Sequence, residues 1–319
     1  MPSKKGRSKP NRSSSLGVQP PNSRAGSTSK TNTVPFRWLA IAAGLAILSA
    51  LACAWGTLCV LFWQGSWQLL YHPSAAVIRT PAAAGLAFES IGFATNAAGE
   101  PQLKGWWIPA GQNANYNAIY LHGADGNIGD AVSALTQLHE ANLNVFAFDY
   151  RGYGNSQFKH PSEVRWREDG ESAIAYLTDT RHVPVNRIVL VGSGLGANLA
   201  LQLAADHPLM SGVILDGPLD DPVSVLFNDA RSHLVPAHML VHDRYYLKAP
   251  AANLRIPSLW FYWIPTQPAD KHAGEPEAYR LVTEHKVLVW MAKSPTQMKD
   301  YDSALRRWLD ELPPPPKSG

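Results

Sequence analysis

The stretch Val191-Gly192-Ser193-Gly194-Leu195-Gly196-Ala197 decides how the chain folds. An apolar run over residues 188–191 leads into it, and a helical pattern over residues 195–205 follows it. Its three glycines stand at alternate positions, where a strand that turns sharply into a helix leaves little room for side chains. The stretch therefore predicts a strand, a tight turn and a helix in immediate succession.

The rest of the body repeats this alternation of strand and helix. Further short apolar runs leave room for a helix between them, over residues 118–121, 145–148, 213–215, 259–263 and 287–291. Helical patterns over residues 131–141 and 301–312 fit that spacing. Strands that alternate with helices indicate parallel βαβ units, so we expect an α/β fold with a mostly parallel sheet flanked by helices.

Two segments depart from the alternation. The stretches 87–93 and 105–108 predict an antiparallel hairpin that leads into the sheet. Residues 220–250 hold several His and Pro in an irregular pattern, and predict a small cap over the C-terminal edge of the sheet, where ligands bind in such folds.

Charge is distributed unevenly along the 319 residues, although the formal net charge is only +3. Residues 1–37 carry eight Lys or Arg and no acid, which predicts a disordered basic tail. The remaining residues hold 20 basic and 25 acidic side chains, a net charge of −5. This acidic balance argues against a nucleic-acid partner.

Residues 38–63 form an almost wholly apolar run, long enough to cross a bilayer as one helix. Trp38 stands at one end of it, and Trp63, Trp67 and Tyr71 stand at the other, as is typical of spans that end at the two interfaces. The alternative is a signal peptide cleaved before Cys53, but the run continues ten residues beyond Cys53. We therefore expect an uncleaved single-pass anchor, followed by one domain over residues 64–319.

The basic tail also predicts the orientation of this anchor. Positive charge stays on the cytoplasmic side, so we expect a cytoplasmic N-terminus and a main domain outside the cytoplasm, at the cell membrane. Both cysteines, Cys53 and Cys59, lie inside the apolar run, so the domain has no disulfide, thiol nucleophile or cysteine metal site. We expect no metal and no cofactor, and the small-molecule or protein ligand stays unidentified.

Two further motifs precede the glycine-rich turn. They read Leu121-His122-Gly123-Ala124-Asp125-Gly126-Asn127 and Phe148-Asp149-Tyr150-Arg151-Gly152-Tyr153-Gly154-Asn155-Ser156. The three motifs together resemble the α/β-hydrolase superfamily, and more narrowly its membrane-anchored, abhydrolase-domain or serine-aminopeptidase-like branch. The resemblance implies an α/β-hydrolase fold in which the turn is the nucleophile elbow, and backbone N–H groups of Ala124 and Leu195 form the oxyanion hole.

The elbow departs from the family pattern G-x-S-x-G. Gly194 occupies the nucleophile position, and Ser193 stands one residue early. A shift of one residue in a tight turn points the side chain elsewhere, so we expect that Ser193 does not reach the oxyanion hole.

The other two members of the triad are replaced as well. The resemblance places the acid at Thr266, with Asp270 the nearest carboxylate, and the histidine at Thr296. No histidine follows His285 in the sequence. A serine hydroxyl needs a base, and the base needs an acid to hold it. We therefore expect a catalytically inactive protein, a pseudoenzyme that acts as a binding or scaffold module.

Two alternatives stay open at this point. An active serine hydrolase of the esterase or peptidase type would require Ser193 with Asp270 and His122. A dinucleotide-binding protein would use Gly192-x-Gly194-x-x-Ala197 with Asp216 as the ribose acid, because that pattern also matches G-x-G-x-x-A after a strand.

Overall fold

The structure is a computed structural model that describes residues 34–111, 114–264, 274–292 and 297–313. Its strands are β1 (His72–Pro73), β2 (Glu89–Thr95), β3 (Pro101–Ile108), β4 (Asn117–Leu121), β5 (Asp125–Gly126), β6 (Asn144–Asp149), β7 (Ile188–Ser193), β8 (Gly212–Asp216), β9 (Ser258–Trp263) and β10 (Lys286–Met291). Its helices are α1 (Phe36–Gly65), α2 (Trp67–Leu70), α3 (Val132–Glu140), α4 (Glu163–Ala175), α5 (Leu195–Asp206), α6 (Ser224–Asn228), α7 (Ala237–Leu240), α8 (Lys248–Asn253), α9 (Glu277–Leu281) and α10 (Gln297–Glu311).

Eight strands form one sheet in the order β10-β9-β8-β7-β4-β6-β3-β2. Strands β2 and β3 pair antiparallel, as do β3 and β6, and every other neighbouring pair is parallel. This confirms the predicted α/β fold, with the hairpin at one edge. Strand β7 is central, so the glycine-rich turn that follows it lies at the middle of the sheet's C-terminal edge.

Each face of the sheet buries its own apolar core. On one face α4 and α5 pack through residues such as Trp166, Ile174 and Leu199. On the other face α3 and α10 pack through Leu135 and Trp308, among others. Burial on both faces explains why the central strands read as continuous apolar runs rather than alternating ones.

Helix α4 is the largest element that the sequence pattern did not predict. Charged residues interrupt its apolar positions, of which Trp166, Ala173 and Ile174 are buried. Its start carries a recognisable signal, because the Ser162 hydroxyl accepts a hydrogen bond from the amide nitrogen of Arg165 at 3.3 Å.

Helix α1 is 30 residues long and begins and ends two residues outside the predicted run. By length and composition it is the one described helix that could cross a membrane. The chain divides into two compact units between Ala52 and Cys53, so the last turns of α1 belong to the unit that contains the sheet.

Residues 220–250 follow β8 and contain α6, a 3-10 turn (Ala230–Leu234), α7 and the start of α8. A buried polar network holds residues 220–250, called the cap segment after the expectation from the sequence. The Tyr71 hydroxyl donates to Asp243 Oδ2 at 2.7 Å, and it lies 3.0 Å from the hydroxyl of Tyr245. The Glu163 carboxylate accepts from the amide nitrogens of Arg244 and Tyr245 at 2.7 and 3.1 Å. The cap is therefore fixed both to α4 and to the chain that leaves α1.

Candidate functional site

The turn after β7 has the backbone geometry of a nucleophile elbow. Gly194 has φ +55° and ψ −122°, a combination that is strained for any residue with a side chain, and α5 begins at the next residue. A Cβ on Gly192 would lie 2.2 Å from the carbonyl oxygen of Gly196, and one on Gly196 would lie 2.2 Å from that of Leu121. A Cβ on Gly194 would meet nothing within 4 Å. The apex of the elbow thus has space for a side chain and carries none.

Ser193 is the last residue of β7. Its side chain lies beside the Tyr120 hydroxyl, where it partly offsets the effect of burial on the pKa of that phenol. Tyr120 is buried in the core on the α3 and α10 face of the sheet, and burial raises the pKa of its phenol. A neutral phenol therefore lies beside the Ser193 hydroxyl, and a neutral phenol does not activate a serine as a base would.

His122 lies in the other core, on the α4 and α5 side. Its ring packs against Tyr150, Tyr153 and Trp166, with ring centroids 4.5 to 6.0 Å apart. Its Nδ1 lies 2.7 Å from the carbonyl oxygen of Gly123 and donates to it, which leaves Nε2 without a partner among the described residues. Burial lowers the pKa of His122 to about 4, so the ring is neutral at physiological pH.

Among the described residues, Asp149 has the carboxyl group nearest to that nitrogen. Its Oδ1 lies 3.7 Å from His122 Nε2 and accepts a hydrogen bond from the Ile128 amide at 2.8 Å. Burial raises the pKa of Asp149 to about 7. The structure thus brings His122 together with Asp149, and no hydrogen bond joins the described side chains of His122 and Ser193.

Thr266, Asp270 and Thr296 lie outside the described residues. The strands that lead towards them are described: β9 ends at Trp263 and β10 ends at Met291. Both strand ends lie at the C-terminal edge of the sheet, on the side of β8 away from β4.

Asp216, the last residue of β8, is a polar group beside the elbow that the triad pattern does not reveal. It pairs with Ser193 across the sheet, and its carbonyl oxygen accepts a hydrogen bond from the Gly194 amide at 2.8 Å. The indole nitrogen of Trp263 donates to its Oδ1 at 3.2 Å, while burial raises the pKa of the carboxyl group to about 6. In the sequence, the signal for Asp216 is its position at the end of the strand that follows the elbow and its helix.

The dinucleotide pattern occupies the same turn, between β7 and α5. Its ribose acid would be Asp216, whose side chain is held by the Trp263 indole. The pattern also follows a central strand, with the edge hairpin, β4 and β6 before it in the chain. This arrangement differs from the opening βαβ unit in which the dinucleotide fingerprint normally occurs.

The two expected oxyanion donors are close to each other in the fold. Leu195 is the first residue of α5, so its amide N–H is one of those that a helix leaves without an internal partner. The Ala124 N–H belongs to the Gly123–Ala124 peptide, whose Gly123 carbonyl oxygen accepts from His122 Nδ1 at 2.7 Å. The next peptide is held as well, because the Ala124 carbonyl oxygen accepts from the Tyr153 hydroxyl at 2.8 Å and from the His72 amide at 3.0 Å. A Cβ on Gly123 would lie 3.3 Å from the Ser193 carbonyl oxygen, so the loop and the elbow are packed together.

Comparisons with known proteins agree with this geometry. A family model described as serine aminopeptidase, S33, matches residues 113–299. The chain is 32% identical over 192 residues to the protein YfhR of Salmonella typhimurium, covering 55% of this chain and 62% of that protein. It is 28% identical over 140 residues to alpha/beta hydrolase domain-containing protein 17B of Xenopus tropicalis, covering 44% of this chain and 48% of that protein. The chain thus spans less than two thirds of the length of either relative.

Among solved structures, the esterase Pf2001 of Pyrococcus furiosus has a similar fold. The TM-score is 0.59 at 17% identity, and the similarity covers 76% of this chain and 99% of the esterase. At this level of identity the similarity establishes a shared α/β-hydrolase fold.

Proposed function

Since the chain belongs to the serine aminopeptidase, S33, family of α/β-hydrolases, we propose that it is a membrane-anchored member that binds a ligand without hydrolysing it. One observation carries the proposal. Gly194 stands at the apex of an intact nucleophile elbow, where a side chain would have room and none is present. The backbone N–H groups of Ala124 and Leu195 would still bind a carbonyl oxygen beside it.

The neighbouring hydroxyl does not replace the missing nucleophile in this proposal. Acyl transfer needs a hydroxyl oxygen near the oxyanion donors and a base that takes its proton. The Ser193 side chain lies beside the Tyr120 phenol, and the neutral His122 is packed among aromatic rings in the opposite core. The sequence contains no histidine after His285, where the family's catalytic base would stand.

A fluorophosphonate probe tests this part of the proposal, because it reacts with activated serines. We expect no labelling of the full chain in membranes, and none of the Ser193→Ala variant. An active family hydrolase, labelled in the same membranes, serves as the positive control. Labelling of the chain that disappears in Ser193→Ala would establish an active enzyme, and labelling that persists would locate the nucleophile at another serine. Either result overturns the proposal.

The anchor is the second part of the proposal. Helix α1 has the length and composition of a span, and the basic tail before it would stay in the cytoplasm. Residues 64–319 would then lie outside the cytoplasm. The chain should remain in the membrane pellet after extraction at alkaline pH, which removes peripheral proteins. Its release into the supernatant would contradict the anchor.

Orientation is tested with single cysteines and a membrane-impermeant maleimide, after Cys53 and Cys59 are changed to alanine. Ser27→Cys reports on the tail, and Ile78→Cys on an exposed position of the main domain. In spheroplasts we expect labelling at residue 78 alone, and labelling at residue 27 only after lysis. The reverse pattern would place the main domain in the cytoplasm.

A further inference from the structure

The cap segment runs alongside the last turns of helix α1. The indole nitrogen of Trp55 donates to the carbonyl oxygen of Leu234 at 3.0 Å. Trp55 lies ten residues before the end of α1, so the cap reaches back about 15 Å along the helix. The 3-10 turn that ends at Leu234 therefore lies beside a part of the helix that is apolar on all sides.

The distance along α1 places this contact relative to a bilayer. A helix rises about 1.5 Å per residue, so Trp38 and Trp55 are about 26 Å apart along the axis, close to the roughly 30 Å thickness of the hydrocarbon core. Tryptophan prefers the interface, so Trp55 is the first residue along the helix at which α1 would leave the hydrocarbon core. If α1 instead leaves at Trp63, Leu234 lies deeper still. In both cases the cap meets the bilayer.

The 3-10 turn that ends at Leu234 and the helix α7 that follows it expose apolar side chains. Leu234 is 62% exposed and Met239 is 79% exposed, although both are large and apolar. The charge of the neighbouring Arg231 is balanced, because its Nε lies 2.8 Å from Asp229 Oδ1. Exposed apolar residues beside an apolar helix are typical of a surface that contacts lipid.

Two cavities open at the same end of α1, and their linings differ. The first, of about 220 Å³, is mostly apolar and includes Leu58, Phe62 and Val235. The second, of about 760 Å³, uses helix residues nearer the end of α1 and includes Trp67, Arg165 and Asp243. From the membrane outwards, the apolar cavity precedes the larger one, which has cationic, acidic and aromatic groups. A phospholipid presents its acyl chain and its headgroup in the same order.

We propose that residues 230–240 dock on the bilayer, with Leu234 and Met239 among the acyl chains of the leaflet that faces the main domain. The occupant of this surface is a membrane phospholipid of that leaflet. The docking holds the C-terminal edge of the sheet close to the membrane, so a lipid-borne ligand would reach the elbow without crossing water. This inference rests on the proposed anchor.

Depth-dependent quenching tests the inference on the full chain. In a chain with Cys53 and Cys59 changed to alanine, the variants Leu234→Cys and Met239→Cys are labelled with a bimane fluorophore and reconstituted in phosphatidylcholine vesicles. Doxyl-labelled phosphatidylcholine then quenches only labels within the acyl region. Leu209→Cys is the matched control, because Leu209 is apolar and 70% exposed but follows α5 at the opposite edge of the sheet.

We expect doxyl lipid to quench the label at least twofold at residues 234 and 239, and not at residue 209. Aqueous iodide should instead quench the label at residue 209 more strongly than the labels at residues 234 and 239. If residues 234 and 239 behave like residue 209 while the chain resists alkaline extraction, the docking is overturned and the anchor stands. If the chain is extracted at alkaline pH, the anchor and the docking both fail.

Discussion

The backbone amide of Gly194 donates a 2.8 Å hydrogen bond to the carbonyl oxygen of Asp216, the last residue of the neighbouring strand. The strained turn is therefore held by the sheet, and it keeps its shape without a side chain at its apex. In an active elbow the same strain presents the nucleophile to the substrate. Here the backbone retains that strained geometry while Gly194 carries no side chain at the apex, and the proposed binding function rests on this relationship.

The glycines of the elbow should respond differently to an added methyl group. In Gly194→Ala the Cβ meets open space, so we expect only the cost of a side chain at φ +55°, about 1–3 kcal/mol. In Gly192→Ala the Cβ would lie 2.2 Å from the Gly196 carbonyl oxygen and 2.5 Å from Ala197 Cα, so backbone must move. We expect a larger loss there, or failure to fold.

Thermal unfolding of the detergent-solubilised chain, followed by tryptophan fluorescence, compares the two variants. Equal melting temperatures for Gly194→Ala and Gly192→Ala would contradict the geometry of the turn. A Gly194→Ser variant extends the test to chemistry. It should fold like Gly194→Ala and still fail to react with the fluorophosphonate probe, because a nucleophile restored without a base is not activated.

Arg151, from the second motif, forms a largely buried ion pair with Asp169 that should stabilise the domain. Its Nε lies 2.6 Å from Asp169 Oδ1, and its amide nitrogen lies 2.8 Å from Asp169 Oδ2. Asp169 is almost fully buried, so Arg151→Met leaves a buried carboxyl group without its cation. We expect a loss of about 3–5 kcal/mol.

The matched control for this variant is Arg167→Met. Arg167 pairs with Asp206 on the surface, where both side chains are nearly half exposed, so the expected loss is about 0–1 kcal/mol. Adding Asp169→Asn to Arg151→Met should restore part of the stability, because a neutral amide costs less to bury than a carboxylate. Similar melting temperatures for Arg151→Met and Arg167→Met would contradict the prediction.

The sequence predicts the sheet well because the fold requires its strands to be apolar on both faces. The same strands place the glycine-rich turn at the centre of the C-terminal edge, and the alternate glycines at 192, 194 and 196 follow from the close approach of backbone there. These features depend on local pattern and spacing, so one sequence is enough to reveal them.

The partners of the site residues depend on contacts between distant segments, which local patterns do not encode. The Trp263 indole reaches Asp216 from 47 residues away, and Tyr71 reaches Asp243 from 172 residues away. The environment of His122 likewise requires Trp166 from a helix that the apolar pattern did not predict. Helix α4 was missed because its buried face is narrow and its other positions are charged.

Tyr71 links the chain that leaves α1 to the cap, and its hydroxyl should stabilise that attachment. Tyr71→Phe removes the donor to Asp243 and leaves a mostly buried carboxyl group with one partner fewer. We expect a loss of about 1–3 kcal/mol and faster amide hydrogen exchange in residues 236–247. Tyr246→Phe is the control, because Tyr246 is nearby in sequence and 65% exposed. Unchanged exchange of the cap in Tyr71→Phe would show that the network does not hold it.

His122 and Asp149 should give the stability of the domain two opposed dependences on pH. Burial lowers the pKa of His122 from 6.5 to about 4, so between these values the unfolded chain binds more protons, and this residue makes stability rise with pH. Burial raises the pKa of Asp149 from 3.8 to about 7, so in that range the folded chain holds the extra proton, and this residue makes stability fall as pH rises. In the shared window from about pH 4 to 6.5 the two contributions offset each other.

Removing one partner should reveal the slope of the other. In Asp149→Asn the melting temperature should rise relative to the unsubstituted chain as pH increases from 4 to 7, because the cost of ionising a buried carboxyl group has been removed. In His122→Asn the melting temperature should fall relative to the unsubstituted chain over the window from pH 4 to 6.5, because only the carboxyl group still titrates. Each unit of pKa shift corresponds to about 1.4 kcal/mol, so both differences are measurable by thermal unfolding at four pH values. Parallel pH curves for all three proteins would show that the two groups titrate normally in the folded domain.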